Sequence, residues 1–226
     1  MQNKIISKFF QCCKLLLFFV LEQLIAVSTF FIQQTAPGTI SHTLLIISFF
    51  IGGMTVISWL SYCYYRQIKQ NHHYQPHWLT RRDMVVVIIG IVLVLIAQNS
   101  ITLLNHYLHL PIATQSANQQ ALLMLKHSAL VIMVIYTVLF APIMEELIFR
   151  GIFYNYFFTN AQGWRMVSGI IINGCLFGVL HEQTHLLIWL VYTLLGIILA
   201  SSYQYTKNIY VSMTIHIINN LLSVVS

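Results

Sequence analysis

Of the 226 residues only 7% are charged while 58% are hydrophobic, and the mean hydropathy is +0.77. A soluble domain carries roughly 25% charged residues, so a water-facing surface of this length is excluded. The formal net charge of +6 does not point to nucleic acid, because the basic residues sit in short connections between apolar runs, where they set membrane orientation.

In chain order the apolar runs cover residues 14–33, 41–63, 84–104, 124–158, 165–183, 186–204 and 208–225. Each is long enough to cross a hydrocarbon core of about 30 Å. They predict an all-α, polytopic transmembrane bundle of about seven spans. Lys4, Lys8 and Lys14 precede the first run like the basic end of a signal peptide. That run exceeds a signal core, carries Glu22 and lacks a convincing cleavage site, so it reads as an uncleaved span. Pro37-Gly38, Pro76 in a His/Gln/Asn-rich stretch, and Pro111 mark connections. Residues 1–120 read as accessory transmembrane helices and residues 121–226 as the core that carries the chemistry.

With the N-terminus in the cytoplasm, Lys4, Lys8, Lys14, Arg66, Lys69, Arg81, Arg82, Arg150, Arg165 and Lys207 fall inside or on inward halves of helices, and only Lys126 outside. Trp59, Tyr62, Tyr64, Tyr65 and Trp164 gather near the same boundary as interfacial anchors. Cys12, Cys13, Cys63 and Cys175 have the spacing of neither a zinc knuckle nor a disulfide framework, and are expected as reduced thiols. His72, His73 and His77, like His106 and His109, read as solvated loop residues.

The five acidic residues are Glu22, Asp83, Glu145, Glu146 and Glu182. Asp83, beside Arg81 and Arg82, is expected as a solvated loop charge, and Glu22 has no assigned role. Glu145 and Glu146 stand inside the run VLFAPIMEELIFRG, residues 138–151. A charge at the bilayer centre costs at least a few kcal/mol, so the pair needs partners or a task. Glu146 and Arg150 are four apart and share a helix face. Glu145 lies about 100° further round, with no charged residue at helical spacing. Pro142 cannot donate to the helical ladder and should loosen the helix there, leaving room for water. The bland reading is that Glu145, Glu146 and Arg150 only form a charge network that glues helices together.

Counted from the turn near residues 160–163, Glu145 and His181 lie at similar heights, roughly 25 Å along their helices. His216 and Asn220 are one turn apart in the last run, at roughly 12–20 Å from the same face, so that with helix tilt the four groups can converge in one layer. A group of polar residues recurring at one depth is expected of a buried active site.

In this order, Glu145-Glu146-x-x-x-Arg150, Phe177-x-x-x-His181 and His216-x-x-x-Asn220 resemble the motifs of the CPBP family. These are the CAAX prenyl-peptide endopeptidases and bacteriocin-processing or bacteriocin-immunity proteins, also called Abi proteins. The flanks Ala141-Pro142, Phe149-Arg150-Gly151 and Asn208-Ile-Tyr-Val-Ser-Met agree, and the resemblance covers about residues 120–225. It implies a helical fold and an intramembrane, glutamate-dependent endopeptidase. Glu145 would be the general base, His181 would help hold the attacking water, and His216 and Asn220 would donate to the oxyanion. Glu146, Arg150 and Phe177 would support that geometry. No cofactor is expected, although a Glu/His/His/Asn set could hold a divalent ion such as zinc. The compact chain looks like the bacterial immunity-type members. That likeness implies a bacterial cell membrane, a peptide or membrane-protein substrate, and a place in bacteriocin processing or self-immunity.

Two rival readings remain open. His181-Glu182-Gln183-Thr184-His185 matches His-Glu-x-x-His, in which His181 and His185 would bind zinc and Glu182 would act as base. No Asp or Glu follows Glu182, Ile188 and Val191 break the extended motif, and the segment falls where one helix should end and the next begin. The other rival is a non-catalytic immunity or regulatory partner, in which the motif residues are only structural. A transporter is disfavoured by the lack of a repeated half.

Overall fold

The computed structural model describes residues 2–71, 77–108 and 127–225. Pro76, Pro111, His72, His73, His109 and Lys126 lie outside the described residues. Among those described, every regular element is helical. Six helices are long and apolar enough to cross a membrane: Ile6–Gln34, Ile40–Gln70, Arg81–Leu104, Leu130–Phe157, Gly163–His181 and Leu186–Thr206. The expected seventh span is a shorter apolar helix, Ile209–Val225, of 17 residues, or about 25 Å. The chain is an integral membrane protein, and the large apolar side chains left exposed, such as Leu16, Leu24, Ile51, Ile88 and Ile96, are those a lipid solvent would cover.

The chain groups into two units. The first draws on Met1–His72 and Ala121–Thr159, the second on His73–Gln120 and Asn160–Ser226.

In the first unit, α1 (Gln2–Gln34) and α2 (Ile40–Asn71) form a hairpin. Its turn uses Gly38 at φ +82°, a left-handed conformation that suits glycine. The Thr35 hydroxyl and His42 Nδ1 join across it at 2.9 Å. Along α1 the buried side chains Phe18, Glu22, Ile25, Thr29 and Ile32 follow the alternating four–three spacing of a packed helical seam. On α2, Tyr64 is buried, so this expected interfacial anchor faces inward with the Leu60 and Ile68 stripe.

The long fourth span is not one regular helix. It runs as α4 (His127–Ile135), a wide π turn (Tyr136–Phe140), α5 (Ala141–Glu146), a second π turn (Leu147–Ile152) and α6 (Phe153–Phe157). Pro142 explains the first irregularity: it has no N–H, and its ring would strike the carbonyl four residues back. The Ala141 amide instead reaches the Tyr136 carbonyl, five residues back. The Phe153 amide closes the second wide turn on Ile148 in the same way. Gly53 gives this span room, because a Cβ there would lie 2.3 Å from the Phe140 ring, which stacks on Phe49 at 5.2 Å.

The second unit contains α3 (Arg81–Leu108), α7 (Gly163–His181), α8 (Leu186–Thr206) and α9 (Ile209–Val225). Asp83 corrects the expectation of a solvated charge. It is only 4% exposed, because Thr80-x-x-Asp83 forms a capping box at the start of α3. The Thr80 amide and hydroxyl donate to Asp83 Oδ2 at 2.9 and 2.8 Å, and the Asp83 amide donates to the Thr80 hydroxyl at 3.2 Å. His77 Nδ1 stands 3.6 Å from the same oxygen. Between α8 and α9, Lys207 adopts the left-handed conformation, and Asn208 accepts from the Tyr210 amide at 3.2 Å, as an asparagine cap does.

Glycines bring α7 and α8 together. A Cβ at Gly174 would lie 2.4 Å from Ile197 Cγ1, and one at Gly178 would lie 2.1 Å from Thr193 Oγ1. From the other side, a Cβ at Gly196 would lie 2.9 Å from both Gly174 Cα and Phe177 Cβ. Small residues that let backbones approach are the usual means of packing helices in lipid.

Candidate active site

The first unit holds the acidic group. Glu145 and Glu146 close the six-residue α5, wedged between the two wide turns, and both are buried. Arg150 lies in the second wide turn, and its Nη1 meets Glu146 Oε1 at 3.0 Å with both side chains fully buried. This is the i, i+4 pair expected from spacing. In so apolar a setting it matters that the two charges face each other. The side-chain Nδ2 of Asn155 donates to the Gly151 carbonyl at 3.0 Å, which helps satisfy the backbone of the wide turn. π turns recur at functional sites because they re-aim side chains relative to the helix before them, and here two of them bracket Glu145.

Two residues of this group had no assigned role in the sequence. Glu22 of α1 is 1% exposed. It accepts hydrogen bonds from the Tyr136 hydroxyl and from Gln23 Nε2, the latter at 2.6 Å. Glu22 and Tyr136 both lie within electrostatic range of Glu145. A lone acid in a long apolar run was the available signal for Glu22; nothing distinguished Tyr136 from the other tyrosines.

The second unit holds the imidazole group. Phe177 is fully buried and meets two of the motif histidines. Its ring stacks on His181 at 4.1 Å, and its edge meets His216 at 5.7 Å with 70° between the planes. Tyr192 of α8 lies on His181 as well, at 4.8 Å; sequence reasoning missed it. His181 Nδ1 is 2.9 Å from the Phe177 carbonyl. A carbonyl only accepts, so Nδ1 carries the proton and Nε2 is the acceptor nitrogen of the neutral ring.

The last helix adds a chain of amides. Gln98 Nε2 of α3 donates to Asn219 Oδ1 at 3.0 Å, and Asn219 Nδ2 donates to Asn220 Oδ1 at 3.1 Å. The Asn220 oxygen thus has its donor in Asn219. Gln98 and Asn219 carried no motif signal.

His-Glu-x-x-His does not lie on a helix. α7 ends at His181, and Glu182 and His185 are extended. Glu182 Oε1 instead accepts from the amides of Gln183, Thr184 and His185 at 3.0, 2.7 and 3.1 Å, and from the Thr184 hydroxyl at 2.5 Å. These donors hold the Glu182 carboxyl well below the ordinary carboxylate range, at about 2. Two imidazoles one turn apart on a shared helix face, which the zinc signature requires, are not formed. Among the described residues no three His, Cys, Asp or Glu side chains group as metal ligands.

Against known proteins, one family profile matches part of the chain. It is described as type II CAAX prenyl endopeptidase Rce1-like, and it matches residues 127–222. Residues 127–222 thus resemble that family. The match bears out the CPBP resemblance, and the Rce1-like segment contains all the motif residues from Glu145 to Asn220. Among curated proteins, UPF0177 protein YvdC of Lactococcus lactis subsp. lactis (strain IL1403) is 31% identical over 85 residues, which are 38% of this chain and 31% of YvdC. YdiL of Bacillus subtilis (strain 168), provisionally named a membrane peptidase, is 32% identical over 122 residues, 50% of this chain and 44% of YdiL. The chain thus spans less than half the length of either relative. No solved structure matches it significantly.

Proposed function

We propose that the protein is an intramembrane, glutamate-dependent endopeptidase, with residues 121–226 carrying the chemistry and residues 1–120 acting as accessory helices. The observation that carries this reading is the Rce1-like match over 127–222, which spans every residue to which a chemical role is given. Glu145 takes a proton from water, and the resulting hydroxide adds to the scissile carbonyl carbon. His181, with Nε2 as acceptor, holds that water. His216 and Asn220 donate to the oxyanion, a contribution of typically 3–4 kcal/mol for one well-placed donor. The C–N bond then breaks, and the leaving amine takes the proton that Glu145 held. Glu146 and Arg150 brace α5, and Phe177 sets the imidazoles.

The substrate class is a peptide or a membrane protein. Both relatives are bacterial, which supports a bacterial cell membrane; the distribution of basic residues supports an N-terminus inside, and the role is bacteriocin processing or self-immunity by family analogy. The loop conformation of residues 182–185 speaks against the zinc alternative.

The test uses the full chain in lipid nanodiscs with an internally quenched, S-farnesylated CAAX peptide, together with protein-terminus mapping in cell membranes. Glu145→Ala should lower turnover by about 100-fold or more and erase the new termini, at unchanged membrane abundance. Equal turnover and equal termini in wild type and Glu145→Ala would refute the catalytic reading. His181→Ala should also abolish cleavage while His185→Ala leaves most of it; equal loss at both would favour zinc.

A further inference from the structure

The first span contributes a carboxylate from outside the Rce1-like segment. Glu22 takes a seam position of α1, between Phe18 and Ile25, where the pattern otherwise buries Ile32 and Thr29. A polar group buried in such a seam is unfavourable unless hydrogen-bonded. Glu22 has two donors, the Tyr136 hydroxyl and Gln23 Nε2.

Tyr136 is tied at both ends. Its side chain reaches α1, and its carbonyl receives the Ala141 amide, the first residue of the short helix that ends in Glu145-Glu146. Where Pro142 has weakened the helical ladder, an external tether has most influence on the orientation of α5. The tether also keeps the phenol occupied. Tyr136 also lies within electrostatic range of Glu145.

We propose that Glu22 and Tyr136 are a positioning pair that holds Glu145 in its working orientation, so that the active assembly extends into the first span. This rests on Glu145 being the catalytic base. Neither residue touches substrate; both act through α5.

The test measures Glu22→Ala, Glu22→Gln, Tyr136→Phe and the Glu22→Ala/Tyr136→Phe double variant of the full chain in nanodiscs, with the farnesylated peptide as substrate and turnover expressed per folded molecule. Glu22→Ala should lower kcat about tenfold with KM unchanged, as loss of geometry at the reacting group does. Gln keeps an oxygen that accepts the phenol and should retain most of the turnover. Tyr136→Phe should match Glu22→Ala, and the double variant should be no worse than either. Wild-type kcat in all variants, or Gln falling as far as Ala, overturns the proposal. A cycle of Glu22→Ala with Glu145→Gln on unfolding temperature needs no substrate: non-additivity of about 2 °C or more supports the linkage, and additivity overturns it. If Glu145→Ala itself retains turnover, the catalytic reading is what fails; wild-type turnover in the Glu22 variants beside an inactive Glu145→Ala isolates the failure to the pair.

Discussion

Phe177 and His181 stack ring on ring, their centroids 4.1 Å apart and their planes 26° from parallel, while the Phe177 carbonyl holds the Nδ1 proton of the same imidazole. One residue thus sets both the tilt and the tautomer of His181. It sets them by different atoms, since the side chain supplies the first and the backbone the second. Phe177→Ala should therefore keep the tautomer but release the ring. The expected result is a loss of about 10–100-fold in kcat from misplacement, with protein still present in the membrane. A steady-state comparison normalised to folded protein checks it.

Gly196 controls the same ring from behind. An alanine Cβ would lie 2.9 Å from Phe177 Cβ and from Gly174 Cα, and backbone cannot move aside cheaply. Gly196→Ala should destabilise by about 1–3 kcal/mol, as overpacking does, and lower turnover in the protein that remains folded. Thermal unfolding in detergent gives the first effect and the peptide assay the second.

The buried Glu146–Arg150 pair separates stability from chemistry. Removing one partner strands a charge, so Arg150→Met should cost about 3–5 kcal/mol. Arg150→Met with Glu146→Leu removes both charges and should recover much of the folded yield, because an apolar replacement of such a pair is often neutral. Activity should not return if the pair braces Glu145. Folded yield by size exclusion and turnover per folded molecule report the two outcomes.

Glu182 gives a pH prediction. Its carboxyl sits at about 2, held down first by the Thr184 hydroxyl and amide. A depressed carboxyl stabilises above its ordinary value, near 4.3, and that contribution fades as pH falls through about 2. Glu182→Gln should therefore unfold at a lower temperature than wild type by a constant margin from pH 8 down to about pH 4.3. Below that the margin should shrink. A margin that varies between pH 5 and 8 would contradict the assignment.

At the last helix, Gln98→Leu removes the donor to Asn219, which in turn orients Asn220. Turnover should fall about 3–30-fold through loss of a positioned oxyanion donor, with little change in KM. Asn220→Asp, which cannot offer the N–H, should fall further. The ratio of the two losses is the measurement.

Much of this could be read along the chain. Among the described residues each of the seven apolar runs coincides with a helical span, six long and one shorter, to within a few residues at most ends, because in lipid a backbone must satisfy its own hydrogen bonds and length alone marks a span. The Glu146–Arg150 contact followed from helical spacing. The break at His181-Glu182 was visible because the motif fell where one apolar run ended and another began. The burial of Asp83 is not legible in hydropathy, because a capping box with Thr80 three residues earlier is a local pattern that hydropathy ignores.

The sequence by itself determined the membrane class, the helices, and the motif residues of the Rce1-like segment, since these depend on composition and on spacing within one element. Only the tertiary structure decided that Phe177 stands between His181 and His216, that Tyr192 covers His181, that Gln98 reaches Asn219, and that Glu22 meets Tyr136. Those meetings depend on the rotation of one helix against another. Glycines at 174, 178 and 196 set that rotation in the second unit, and two wide turns around α5 reset it within a single span. A one-residue shift in a helical turn moves a side chain by about 100°, so contacts across helices are decided by packing.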